Sequence, residues 1–157
     1  YALIPYLYSE FLKAALNDEM MFRPLAFDFP EDNTAKQAED QLFLGNELMI
    51  APIYKQNAQG RYVYLPEEMM MISMKSVSDY TAAVLPAGHH YVEVPLDTLV
   101  FFIRKGKAIP FGAAADNTSQ IDMSALRLLG YDGSTYELYS DNGYSPEPED
   151  SLKITTL

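Results

Sequence analysis

The sequence predicts a mainly β protein, an antiparallel β-sandwich preceded by a short α/β segment. Six short runs rich in β-branched, aromatic and other apolar residues follow one another after residue 56, each bounded by Gly, Pro, Asn or Asp. Ahead of them, apolar residues recur at helical spacing near the start of the chain, and one short run is almost continuously apolar. The period changes near Asn57, so residues 1–55 are expected to be α/β and residues 56–157 nearly all β. With 48% hydrophobic and 13% aromatic residues in 157, the chain can fill a core of ordinary domain size.

The first element is a helix. Ile4, Leu7, Phe11 and Ala14/Ala15 recur at roughly helical spacing, which predicts that this stripe packs inward. Asn17-Asp18 favour turns and end it, and Pro5 belongs in the first turn, where its missing N–H costs nothing. Met20 to Phe27 then reads as a strand buried on both faces. Asn33/Thr34 are placed to cap a second helix running to Gln41, and Gly45-Asn46 to stop it.

The strands that follow are Arg61 to Pro66, Met70 to Met74, His89 to Val94, Leu99 to Ile103, Leu126 to Gly130 and Tyr136 to Tyr139. Their number and spacing suggest a sandwich. Asp132-Gly133, between the last two, predicts a hairpin because both residue types tolerate positive φ. In the methionine run at 69, 70, 71 and 74, alternation along a strand sends about half of the side chains into the core.

Charge narrows the partners. With 22 acidic residues against 11 basic ones the net charge is −11, so nucleic acid and anionic membrane would be repelled. The stretch from Asp132 to Asp150 has no Lys or Arg and reads as a solvated acidic rim. Asp141-Asn142-Gly143 closes too early to give the regular oxygen spacing of a calcium loop. No apolar run approaches the ~20 residues that cross a bilayer. The chain has no cysteine, and no charged-then-apolar leader opens it. A cytoplasmic location is the expectation, although a sequence starting at Tyr1 would conceal a leader on a longer parent.

Several blocks resemble, in order, the late part of a family 31 glycoside hydrolase. They are Tyr1 to Tyr8, Phe22-Arg23-Pro24-Leu25, Asp40 to Ile53, Gly60-Arg61-Tyr62-Val63-Tyr64-Leu65-Pro66, Pro95 to Pro110, and Tyr136 to Gly143. The resemblance runs nearly end to end. It departs where the family commonly has Gly-x-Trp after its Tyr-Leu-Pro strand; here stand Glu67-Glu68-Met69-Met70-Met71, and there is no tryptophan. The resemblance implies that residues 1–55 are the end of a (β/α)8 barrel, its last strand and helices, and residues 56–157 the sandwich that follows. It also implies a parent that cleaves α-glucosides or α-xylosides with retention, without metal or organic cofactor.

Retention needs two carboxyl groups about 5 Å apart, one as nucleophile and one as acid/base. In this family both are aspartates on earlier barrel strands, and a substrate-binding Arg and His also precede the point matching Tyr1. No catalytic residue is therefore expected in this chain, which should be inactive alone. Asp28, Glu31 and Asp32 cluster at the barrel end where active sites are built. Asp28 and Asp32 are the candidates for contact at a sugar-pocket rim, and a turn with a helix cap explains that loop equally well. His89 and His90 are adjacent in a strand, point to opposite faces and cannot share a metal ion. The 12 tyrosines suit sugar stacking, but packing explains them more simply.

Two readings follow. The chain is the C-terminal portion of an α-glycosidase whose partners are an α-linked oligosaccharide and the rest of its own barrel, or it is a stand-alone β-sandwich module that binds carbohydrate or protein. The first predicts an exposed apolar patch around Leu7, Phe11, Phe22 and Leu25, through which the isolated chain would self-associate.

Overall fold

Pro5 sets where the first helix begins. In the computed structural model, which describes all 157 residues, α1 spans Ile4–Asn17 with Pro5 in its first turn. It ends at Asp18, which takes a left-handed conformation (φ 55°) and returns its N–H to the carbonyl of Ala14. The buried face is not the expected one: it carries Tyr6, Ser9, Glu10 and Leu12, while Phe11 is 55% exposed and Leu7 is half-buried.

The reason is hydrogen bonding. Ser9 Oγ accepts from the Tyr139 N–H (2.9 Å), and the Glu10 carboxylate accepts from Tyr136 Oη (2.6 Å) and Lys13 Nζ (2.8 Å). With these partners in place the polar side chains can be buried, which frees the apolar stripe to face outward. Lys13 also sits 4.0 Å from the centre of the Tyr136 ring. Glu10→Ala would strip a buried phenol and an ammonium of their acceptor, and the expected loss is about 2 kcal/mol, read from urea denaturation.

Two compact units divide the chain, residues 1–21 with 106–157, and residues 22–105. The first holds α1 and two antiparallel ribbons. One pairs β9 (Ala108–Phe111) with β10 (Arg127–Gly130), the other β11 (Glu137–Ser140) with β12 (Lys153–Thr156). The expected hairpin across Asp132-Gly133 is not formed. Gly133 does take positive φ (78°), but β10 and β11 each bond to a different strand.

The second unit is a sandwich. One layer is a six-stranded sheet in the order β1 (Phe22–Pro24), β2 (Leu42–Leu44), β3 (Leu48–Ile50), β8 (Leu99–Arg104), β5 (Met69–Ser76), β6 (Asp79–Leu85), antiparallel throughout. The other is the ribbon of β4 (Gly60–Leu65) and β7 (Gly88–Glu93). Val63, Leu65 and Val92 from the ribbon meet Phe43, Met49, Met69 and Phe102 from the sheet in one core with Leu25 and Ala35. Burial of this set is the main stabilising term for the unit. Among the methionines, Met69 and Met74 are buried while Met70 and Met71 are half-buried, so half of the four are buried as expected, but the two buried ones are five positions apart and lie on opposite faces of β5.

Two expectations fail here. Phe22–Pro24 is an edge strand bonded only to β2, so Phe22 is 53% exposed instead of buried on both faces. A one-turn helix, α2 (Leu25–Asp28), takes the place of the end of that expected strand, and the expected second helix, α3 (Asn33–Gln37), stops four residues early, capped by Asp32 and not by Asn33 or Thr34. Gln41 onward turns into strand, and Gly45-Asn46 make the β2–β3 turn, with Gly45 at φ 67°.

Candidate functional site

The loop after β1 gathers charge. Arg23, within β1, grips Asp28 with two bonds, Nε to Oδ1 at 3.0 Å and Nη2 to Oδ2 at 3.1 Å. Arg104, at the end of β8, reaches the same carboxylate through Nη1 (2.5 Å) and holds Glu67 through Nε (2.6 Å). Asn46 accepts a further bond from Arg23 (2.9 Å). The Arg104 guanidinium lies 4.7 Å from the Phe43 ring centre and 5.4 Å from that of Phe29. Burial raises the Asp28 pKa, but the two guanidiniums outweigh it and hold the carboxyl below its ordinary value. Asp28 thus ties the edge strand β1 to β8, three places along the sheet.

Asp32 does two jobs. It caps α3 by accepting from the N–H groups of Thr34 (2.8 Å) and Ala35 (3.1 Å), and it accepts the Tyr64 phenol at 2.5 Å. The phenol bond, chiefly, lowers the Asp32 pKa and raises that of Tyr64. Glu31 is exposed.

Sequence reasoning missed the third cluster. Buried Gln41 clamps the backbone of Tyr64 as a neighbouring strand would, its amide donating to the carbonyl (2.7 Å) and accepting from the N–H (2.8 Å). Arg61 meets the Asp40 carboxylate at 2.5 Å and donates to the carbonyls of Pro52 (2.7 Å) and Asp40 (3.1 Å). The Tyr54 phenol also donates to Asp40 (3.2 Å). Desolvation raises the Asp40 pKa, yet Arg61 and Tyr54 together lower it on balance. The Asp40-Gln41 pair and the Arg61-to-Tyr64 strand therefore form one lock, and their joint presence in the sequence was its only trace. Arg61→Lys keeps the charge but loses the planar fork, and should cost about 1–2 kcal/mol in urea denaturation.

The chemistry open to these carboxylates is limited. A glycosidic acid/base must hold a proton near neutrality, which takes a raised pKa. Asp28, Asp32 and Asp40 all shift the other way, so each is an anion that fixes neighbours. His89 stacks near Tyr64, ring centres 4.9 Å apart, while His90 Nε2 lies 2.8 Å from the Pro86 carbonyl, on opposite sides of the strand as alternation requires. In the acidic segment, Asp141 accepts from Tyr8 Oη (2.7 Å) and from the Gly143 N–H (3.0 Å), a local turn.

Comparison with known proteins places this architecture. The chain is 31% identical over 160 residues to α-glucosidase 2 of Bacillus thermoamyloliquefaciens, covering 98% of itself and 20% of that enzyme. It is 29% identical to an α-xylosidase of Saccharolobus solfataricus, again over 20% of the relative's length. Among solved structures, a family 31 dextranase of Flavobacterium johnsoniae with bound glucose superposes with a TM-score of 0.77 at 26% identity, over 99% of this chain and 20% of that one. The chain thus spans about a fifth of the proteins it matches. Residues 18–109, more than half of the sequence, match the model of the glycosyl hydrolase family 31 C-terminal domain, and the chain belongs to that family.

Proposed function

We propose that this chain is the C-terminal portion of a retaining α-glycosidase that hydrolyses α-glucosidic or α-xylosidic bonds, and that it supplies scaffold while the catalytic carboxylates lie upstream of Tyr1. One observation carries the reading: the match is nearly end to end, yet falls on only about a fifth of each relative. In the parent, the edge strand Phe22–Pro24 and the exposed Phe27 are covered by the rest of the barrel, as is the outward face of α1 around Phe11. Leu25 takes no part in that contact, because it is fully buried in the core of its own unit.

Asp28 and Asp32 serve this scaffold, positioning the loop after β1, and neither is the nucleophile. The test is a paired assay of the 157-residue chain and the complete open reading frame that contains it. The complete protein should release the aryl group from aryl α-glucoside or α-xyloside with retained configuration by NMR, and the chain alone should not. Turnover by the isolated chain, or a complete protein inert on both substrates, would overturn the reading. Light scattering of the isolated chain checks the exposed faces: self-association is expected, and a monodisperse monomer would count against their role as covered surfaces.

A further inference from the structure

The outer face of the β4–β7 ribbon displays aromatic rings that take no part in the core. Inward positions Val63, Leu65 and Val92 fill the core. Outward, Tyr62 and Tyr91 are cross-strand partners in an edge-to-face pair, ring centres 5.3 Å apart at 70°. They are 72% and 57% exposed, and Tyr54 beside them is 66% exposed. All three line one groove of about 340 Å³ that Asp40 and Arg61 also line. That volume lies in the range of small-ligand sites.

The groove suits a neutral polyol. Phenol rings offer flat apolar faces to the C–H face of a pyranose, with a hydroxyl at the rim for its polar edge. Asp40 is held by Arg61 and Tyr54, yet its side chain remains 38% exposed, a fixed acceptor for sugar hydroxyls. The Arg61 cation is matched by that carboxylate and occupied by two carbonyls; Lys55 adds one further cation to the lining, 6.0 Å from the Tyr54 ring centre, while the chain's net charge of −11 repels an anion. We infer that this groove is a carbohydrate-binding site that takes one or two sugar units of a neutral α-linked gluco-oligosaccharide, with the Tyr62 and Tyr91 rings, set at 70° to one another, as two apolar walls and Asp40 as the hydroxyl acceptor. The choice of an α-linked glucan rests on the glycosidase reading; the rings and the acceptor do not.

The test is an NMR titration of the 157-residue chain with maltotriose, isomaltotriose and cellotriose, following the tyrosine ring signals. The α-linked trisaccharides should move the signals of Tyr54, Tyr62 and Tyr91 and leave Tyr144, 94% exposed in the other unit, unmoved. Tyr62→Ala should weaken binding about fivefold, and Tyr91→Ala similarly. Both sites are exposed, so the fold should survive, and an unchanged circular dichroism spectrum checks this. Ring signals that ignore all three sugars, or equal affinity in the alanine variants, would overturn the site. Equal binding of cellotriose would overturn its α-linkage preference. Turnover of an aryl α-glucoside by the complete protein is read alongside: its absence removes the glycosidase reading, while turnover with a silent groove removes this inference alone.

Discussion

Gly130→Ala should lower stability by about 3 kcal/mol. Gly130 pairs with Ala108 across the β9–β10 ribbon and takes φ 153°. A Cβ there would lie 2.4 Å from the Lys107 carbonyl oxygen, 2.5 Å from Ala108 Cα and 2.8 Å from Ala108 Cβ. Two of those atoms are backbone, so relief requires the two strands to part. Gly106→Ala separates the causes: its φ is 68°, but no atom lies within 4 Å of the added carbon. Only the dihedral cost of about 1 kcal/mol should appear there. Urea denaturation of both variants checks this, and a Gly130→Ala loss no greater than that of Gly106→Ala would show that the ribbon yields easily.

Asp28→Asn should cost about 2 kcal/mol near neutral pH, because it leaves Arg23 and Arg104, whose side chains are 13% and 18% exposed, without their shared counter-charge. The figure sits below that for a fully buried pair since Asp28 retains 18% exposure and Glu67 still holds Arg104. The pH dependence has a definite sign. The folded pKa lies below the ordinary 3.8, so the stabilisation is fully present above the unfolded value and fades as pH falls through the folded one. The difference between the two proteins should therefore be largest near neutrality and shrink in acid below about pH 4. A difference that stays constant across that range would mean the ion cluster contributes through shape alone.

Much of the strand content was legible. The runs at Arg61 to Pro66, Met70 to Met74 and Leu99 to Ile103 alternate or stay apolar because one or both of their faces are buried, and each lies within one residue of an observed strand start. Strand β6 was missed because it is an edge with five of its seven positions exposed, so selection for apolar residues left no pattern to read. The Asp132-Gly133 turn was read correctly as a turn and wrongly as a hairpin. The candidate site was half legible: Asp28 and Asp32 stood out as a loop cluster, but their partners Arg104 and Tyr64 lie 76 and 32 residues away. The tyrosine groove left only the outward alternation of Tyr62 and Tyr64 as a signal.

The sequence by itself determined the mainly β character, the helix at the start, the acidic surface and, through its ordered blocks, the family. These properties are local, or are written as residue types along a line, and a short window carries them. Tertiary structure alone decided which face of α1 turns inward, which strands pair across β9 to β12, and that Gly45-Asn46 closes a hairpin instead of ending a helix. Those choices turn on whether a buried polar group finds its partner, and the partners of Ser9 and Glu10 lie more than a hundred residues along the chain. No local pattern of polarity can report a hydrogen bond between such distant segments.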